Sequence, residues 1–131
     1  MTRINCVPVH ELHDKHLGAE YRELPRVFKL AYAAYQRGED PATYPQEYLL
    51  GKGHVKFFYA RLEWLAQRFD TIYLEMRSRG WNPQYSSVPA LPRMPASWWQ
   101  CWHPTPEALE ANRQRIKDRL PQAKKSGLAV G

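Results

Sequence analysis

Apolar side chains recur at helical spacing along three stretches of the chain. In the clearest stretch, from Val55 to Arg79, they step by three and four positions throughout. They are Val55, Phe58, Leu62, Leu65, Phe69, Ile72 and Met76. The pattern predicts one long helix with an aromatic-rich core face, closed by Gly80. Because burying such a side chain contributes about 1.5–3 kcal/mol, we expect this helix to anchor the domain.

A second helical pattern runs from about Val9 to Gln36. Its apolar side consists of Leu12, Ala19, Val27, Leu30 and Ala34. Pro25 lies inside the pattern, removes one backbone hydrogen bond and should bend the helix. Cationic residues at spacings of seven, four and three predict a basic stripe along another face. The stripe consists of Lys15, Arg22, Arg26 and Lys29.

A third helix is predicted from Thr105 to about Leu120. Thr105 offers a capping hydroxyl, Pro106 suits the first helical position, and Glu107 places an acid in the first turn. Pro121 is expected to end the helix, and residues 121–131 to form a flexible tail. Leu109, Ile116 and Leu120 are expected to face inward, whereas Arg113, Arg115, Lys117 and Arg119 make the helix strongly basic.

Two connections separate these helices. Residues 36–53 contain prolines and a Gly51-Lys52-Gly53 turn, interpreted as a tight turn that can touch a DNA phosphate. Residues 81–103 show no sustained period, and their prolines argue against regular structure. Their four tryptophans either pin a long loop onto the core or stack on bases, and packing is the favoured interpretation.

Length and composition add a domain count and a class of partner. The 131 residues fit one domain, residues 1–131, with the three predicted helices joined by long loops. A net charge of +6 favours an anionic partner, with nucleic acid first. Cys6 and Cys101 form neither a disulfide framework nor a metal motif, so two buried free thiols are expected, although a bridge stays open. No apolar run predicts a membrane span or a signal peptide, which indicates a cytoplasmic protein.

Two segments, the N-terminus and the helix around Glu23, contain groups that could take part in catalysis. Removal of Met1 would expose the α-amine of Thr2, whose unperturbed pKa of about 7.7–8.0 makes it a usable nucleophile. On the second helical pattern, Glu23 lies beside Arg22 and Arg26, and His16 lies two turns before it on nearly the same side. The alternative is that Glu23 and Arg26 form only a surface ion pair.

The same segments carry a resemblance to a known family. The runs Thr2-Arg3-Ile4-Asn5, His16-Leu17 and Ala19 to Phe28 resemble the pyrimidine-dimer DNA glycosylase/AP (apurinic or apyrimidinic site) lyases. A second block, from Leu50-Gly51 through Gly53-His54-Val55 and Phe57-Phe58-Tyr59 to Leu62-Glu63, resembles them too. The resemblance covers about residues 1–82 and continues faintly through the last helix.

The resemblance implies roles for matching residues. The nucleophile is the amine of Thr2 and the essential carboxylate is Glu23. The implied fold is a compact, all-α single domain, in which the N-terminal segment threads between helices towards that glutamate. No metal or cofactor is implied, and the partner is double-stranded damaged DNA, bound by a monomer that associates with the nucleoid. Arg3, Arg22 and Arg26 match the family's DNA-binding arginines, and His16 matches its histidine near the scissile region. The basic patterns of the chain add Lys15, Arg115 and Arg119 to the residues expected to bind DNA.

The expected activity is therefore excision of the base of cyclobutane pyrimidine dimers, followed by β-elimination through a Schiff base on the N-terminal amine. The type member of the family ends in an aromatic, basic tail, whereas residues 124–131 contain no aromatic residue, and Lys15 stands where the type member has a neutral side chain. Two alternatives stay open. The same chemistry can act on another modified base or on abasic sites, or the chain can be a non-catalytic DNA-binding module.

Overall fold

Four α-helices, three of them long, form the frame of the described structure. It is a computed structural model that describes residues 4–48 and 50–130, with side chains as far as Arg119. The helices are α1 (Asp14–Gln36), α2 (His54–Tyr59), α3 (Leu62–Ser78) and α4 (Pro106–Val130). Short 3-10 helices lie at Val9–Glu11, Pro41–Thr43 and Ala96–Trp98. The predicted all-α class, with three main helices and long connections, is confirmed.

Helix α1 begins at Asp14 rather than at Val9, so the predicted start is wrong. The 3-10 turn at Val9–Glu11 is followed by Leu12 in an extended conformation. The guanidinium of Arg79 donates hydrogen bonds to the carbonyl oxygens of Val9 and Leu12, at 3.3 and 2.7 Å. These bonds satisfy carbonyl groups that a longer helix would have used internally. His13 then caps α1, because its Nδ1 accepts from the backbone nitrogen of Lys15.

The apolar face of α1 is close to the prediction. Val27 and Ala34 are fully buried, whereas Leu30 is 44% exposed and therefore does not belong to the core face. Pro25 lies inside the helix, which continues through it to Gln36. A proline in a helix removes one backbone hydrogen bond, and here the packing of the flanking apolar residues outweighs that loss.

The predicted helix from Val55 to Arg79 is two helices, because the chain breaks at Ala60 and Arg61. The carbonyl oxygen of Ala60 accepts from the backbone nitrogen of Gln100 at 3.3 Å, and Arg61 forms an isolated antiparallel bridge with Trp99. A distant loop thus takes the hydrogen bonds that would have continued the helix. The predicted apolar stripe is otherwise correct, since all its members except the half-buried Val55 are buried.

The tryptophan-rich loop packs onto the core, as favoured from the sequence. Trp98 is 2% exposed and makes edge-on ring contacts with Tyr35 and Tyr44, each at 5.7 Å between ring centroids. Trp102 stacks on Tyr48 at 5.7 Å. Between these tryptophans, Cys101 is exposed, so the expectation of two buried thiols holds only for Cys6. Both thiols are free.

Helix α4 begins as predicted and ends later. Thr105 Oγ1 accepts from the backbone nitrogen of Ala108 at 3.0 Å, which is the expected cap. The helix extends to Val130, so Pro121 does not end it. As at Pro25, one missing backbone donor does not stop a helix. Within the described part of the chain, no helix has the length and apolar character needed to cross a membrane.

Candidate active site

The N-terminal segment, Ile4 to Val7, runs through the interior between the helices. Ile4, Cys6 and Val7 are at most 5% exposed. The backbone nitrogen of Ile4 donates to His54 Nε2 at 2.8 Å, and the hydroxyl of Tyr48 donates to the Ile4 carbonyl oxygen at 2.9 Å. Side chains, rather than a neighbouring strand, therefore bind the backbone of this segment.

A buried polar network lies against the N-terminal segment. The carboxylate of Glu20 on α1 pairs with the guanidinium of Arg68 on α3, with Nε to Oε2 at 2.8 Å. Asn5 Nδ2 donates to Glu20 Oε1 at 2.9 Å, and Asn112 Nδ2 on α4 donates to Asn5 Oδ1 at 2.8 Å. Arg68 also donates to the carbonyl oxygen of Val7. The network joins three helices and the N-terminal segment through the side chain of Asn5.

Glu23 lies in a cleft of about 200 Å³ between α1 and α4, which we call the Glu23 cleft. The α1 residues of its wall recur at spacings of three and four, so they share one helix face. The α4 residues do the same. The cleft is lined by Asn5, His16, Ala19, Glu20, Glu23, Arg115, Ile116 and Arg119. The structure thus brings together four of the predicted site residues, His16, Glu23, Arg115 and Arg119, with the N-terminal segment beside them.

Two polar atoms of the cleft residues are buried without a hydrogen-bond partner among the described residues. They are His16 Nδ1 and Arg115 Nη2. Burial is the largest cause that lowers the pKa of His16, and the positive charges of His13, Arg119 and Lys15 lower it further. Because unpaired buried donors are costly, the Arg115 guanidinium is ready to bind an anionic ligand, and phosphate is the ligand that arginine recognises well.

Glu23 is half-buried and lies near one of the predicted arginines. Its side chain is 27% exposed, and Oε2 lies 3.4 Å from Nη1 of Arg26, whose side chain is 69% exposed. The predicted ion pair at this spacing is therefore present, but it is long and exposed on the arginine side. Such an exposed pair contributes little to stability.

A second and larger cavity, of about 910 Å³, lies on the neighbouring face of α1. Arg22, Arg26 and Lys29 of the basic stripe line it, whereas Lys15 is exposed and lines neither cavity. Tyr21 of α1 and Trp81 and Tyr85 of the loop after α3 supply aromatic rings to its lining. The hydroxyl of Tyr21 donates to the Tyr85 carbonyl oxygen at 3.0 Å and accepts from its backbone nitrogen, which fastens the loop to α1.

Sequence reasoning gave no role to three residues of the buried network, Glu20, Arg68 and Asn112. A signal was present: Arg68 lies three residues after Leu65 and four before Ile72, within the buried stripe of α3. Glu20 lies likewise between Leu17 and Leu24 on the buried face of α1. Charges at core spacing on two helices indicate a buried pair, since an unpaired buried charge is strongly disfavoured.

Thr2 and Arg3 lie outside the described residues. Among the described ones, no group of three His, Cys, Asp or Glu side chains could hold a metal ion. A family model described as pyrimidine dimer DNA glycosylase matches residues 1–87 of the chain. The match spans the N-terminal segment and α1 to α3, which include Glu20, Glu23 and Arg68. It ends before α4, so the cationic wall formed by Arg115 and Arg119 is described by the structure alone.

Proposed function

The chain belongs to the pyrimidine dimer DNA glycosylase family, and we propose that it excises the base of cyclobutane pyrimidine dimers and then cuts the strand as an AP lyase. The nucleophile of this proposal is the α-amine of Thr2. One observation supports it above the others: the N-terminal segment contributes Asn5 to the wall of the cleft that holds Glu23. Thr2 precedes Asn5 by only three residues in the chain.

The proposed chemistry proceeds through a covalent intermediate. The nitrogen of Thr2 bonds to C1′ of the damaged nucleotide while the bond from C1′ to the base breaks, and the base takes that electron pair and a proton from the amine. The bond from C1′ to O4′ then opens, O4′ takes up a proton, and an iminium remains. Loss of a C2′ proton breaks the bond from C3′ to its oxygen, so the strand is cut. Water finally hydrolyses the iminium and restores the amine.

The cleft residues have separate parts in this sequence. Glu23 stabilises the positive charge that develops on the sugar and transfers protons to and from it. His16, with its lowered pKa, offers a neutral imidazole at neutral pH. Arg115 and Arg119 bind the phosphates that flank the reacting sugar. Lys15, Arg22 and Arg26 extend this phosphate contact along the basic side of α1. Arg3, which follows the nucleophile in the chain, is proposed to bind phosphate as well.

The larger cavity suits a nucleotide turned out of the duplex. Chemistry on a base-paired nucleotide requires its unstacking, with a bent duplex around it. The cavity has room for a base, aromatic rings on which a base can stack, and cationic side chains for the adjoining phosphates. It is also next to the Glu23 cleft, because Arg26 lines the cavity and lies 3.4 Å from Glu23.

Borohydride trapping tests the proposal. Protein whose intact mass shows that Met1 is absent should form a covalent complex, reduced through its N-terminal peptide, with dimer-containing and with abasic duplexes. The matched control is the same chain with one extra residue before Thr2, which turns the Thr2 amine into an amide and moves the free α-amine one residue away. Its trapping should be strongly slowed. Absence of any trapped complex from correctly processed protein would contradict the amine chemistry.

The substrate is tested by the same assay. Dimer-containing, abasic and modified-base duplexes are compared under single-turnover conditions. Faster reaction on the dimer than on the other modified bases is expected. A preference for a different modified base, or reaction with abasic sites alone, would retain the amine mechanism and replace the proposed substrate.

A further inference from the structure

Asn112 is fully buried on α4, and each of its polar atoms binds the N-terminal segment. Its Oδ1 accepts from the backbone nitrogens of Cys6 and Val7, at 2.7 and 3.1 Å. Its Nδ2 donates to Asn5 Oδ1 at 2.8 Å. The side chain is 0% exposed. The amide of Asn112 thus binds three consecutive residues, Asn5, Cys6 and Val7. These bonds limit movement of the segment both along its length and sideways.

A single side chain, that of Asn112, sets the position of the N-terminal segment from Asn5 to Val7. In a strand, the register is shared among many backbone bonds along a ladder. Here the backbone nitrogens of Cys6 and Val7 both depend on a single side-chain oxygen. Asn5, held by the same amide, forms part of the wall of the Glu23 cleft. Ile4 is held separately by His54 and Tyr48, so a shift at Asn112 moves the part of the segment from Asn5 to Val7 relative to Glu23.

The position of Asn112 on α4 adds a second link. Arg115 and Arg119 follow it by three and seven residues, so all three lie on one face of the helix. Both arginines line the Glu23 cleft. The helix that supplies cations to the cleft is therefore the same rigid element that fixes the N-terminal segment. α4 therefore sets the position of the proposed phosphate-binding arginines relative to the segment that leads to the N-terminal amine.

We propose that Asn112 is a positioning residue, which sets the N-terminal amine at its attacking distance from the damaged sugar. The inference rests on the proposed function, in which that amine is the nucleophile. Because a misplacement of about 1 Å in an attacking group can cost on the order of 100-fold in rate, loss of this amide should slow covalent bond formation strongly. DNA affinity should change little, since Asn112 is buried and does not face the duplex.

The test measures trapping by borohydride on abasic duplex for the wild-type chain, Asn112→Ala and Asn112→Asp. With protein in excess, the first-order rate constant at saturation reports how well the amine is placed. With DNA in excess, the fraction of protein trapped at completion reports how much of it is correctly folded. Gln114→Ala is the matched control, because this exposed residue of α4 bonds only to Asp118 among the described residues.

The expected result is a rate constant lowered about 10- to 100-fold in Asn112→Ala, with the trapped fraction and DNA affinity within about twofold of wild type. Asn112→Asp keeps both acceptor bonds, loses the donor to Asn5 and places a carboxylate against Asn5 Oδ1, so its rate constant should also lie below that of the wild type. Should Asn112→Ala not fold, a lowered rate constant in Asn112→Asp alone supports the inference.

Two results would overturn the inference. In the first, the trapped fraction falls and the rate constant is unchanged, which shows a purely structural role. In the second, both quantities match those of the wild type and of Gln114→Ala. Failure of the wild-type chain to be trapped is a different outcome, because it overturns the proposed amine chemistry and this inference with it.

Discussion

The guanidinium of Arg68 holds the carboxylate of Glu20 through two hydrogen bonds, from Nε to Oε2 at 2.8 Å and from Nη2 to Oε1 at 3.1 Å. The two side chains are 6% and 0% exposed. The pair joins α1 to α3 beneath the N-terminal segment, and Arg68 reaches the segment itself at the Val7 carbonyl. The framework beneath the cleft therefore depends on both charges being present.

Removal of one charge should destabilise the fold strongly. In Arg68→Met, the Glu20 carboxylate stays buried without its cation, which costs about 3–5 kcal/mol. Urea-induced unfolding measures this loss. Arg77→Met is the matched control, because Arg77 is an exposed residue of the same helix, and the same change there should leave stability nearly unaltered.

Removal of both charges should restore most of the lost stability. Replacing a buried ion pair with apolar residues of similar volume is often neutral, so Glu20→Met combined with Arg68→Met should unfold at a higher urea concentration than Arg68→Met alone. A double variant no more stable than the single one would contradict the assigned coupling. It would indicate that the bonds of Glu20 to Asn5 and of Arg68 to Val7 carry the stability instead.

Local patterns in the sequence are enough to predict the helices of this fold. The stripe from Phe58 to Met76 is buried as its spacing indicates, because a helix must bury a continuous apolar face. The break at Ala60 was not predictable in this way. The break depends on a hydrogen bond from Gln100, forty residues later in the chain. No helix-breaking residue such as proline lies at the break itself.

Local spacing along the helices also made part of the candidate site predictable. Glu23 and His16 share a helix face by spacing, and the structure places both in one cleft. That Arg115 and Arg119 form the opposite wall depends on where α4 lies relative to α1 in the fold, which no local pattern encodes. The contribution of Asn112 is harder still to predict, since a single asparagine in a basic helix is usually a surface residue.

The salt dependence of DNA binding tests whether Arg115 contacts a phosphate, as proposed. The logarithm of affinity falls with the logarithm of salt concentration by about 0.9 per phosphate neutralised. Arg115→Gln should therefore make the slope shallower by about 0.9. Titrations of a labelled duplex at several salt concentrations measure it.

Arg37→Gln is the control for that slope, because Arg37 pairs with Glu39 beyond the end of α1 and lines neither the Glu23 cleft nor the larger cavity. Its slope should equal that of the wild type. An unchanged slope in Arg115→Gln, or an equal change in the two variants, would contradict a specific phosphate contact at Arg115.

The pKa of His16 should rise when the charge of Arg119 is removed. Burial lowers this pKa most, and the positive charges of His13, Arg119 and Lys15 lower it further. In Arg119→Gln one of these charges is lost, so NMR titration of the His16 ring should show a higher pKa than in the wild type. Lys29→Gln is the control, since thirteen residues of helix, about 20 Å, place that charge well beyond the screening length.

The sign of this shift also gives a dependence of stability on pH. A histidine whose pKa is lowered by folding binds protons less readily in the folded state than in the unfolded chain. Its contribution to stability is therefore present above the unfolded pKa of about 6.5 and is lost as pH falls through the lower folded pKa. His16→Gln should flatten the fall of stability below pH 6.5, and an unchanged profile would contradict the lowered pKa.

The exchange Glu23→Gln should separate binding from chemistry. The side chain is 27% exposed, and the amide has the same shape, so folding and DNA affinity should persist. Loss of the carboxylate removes both the proton transfer and the stabilisation of charge on the sugar, and base release should fall by about 10²–10⁴-fold. Single-turnover release from a dimer-containing duplex measures this fall. Glu110→Gln, an exposed position outside the cleft on α4, is the matched control. Near-normal release in Glu23→Gln would remove this carboxylate from the reaction, and the acid or base would then have to come from His16 in the same cleft.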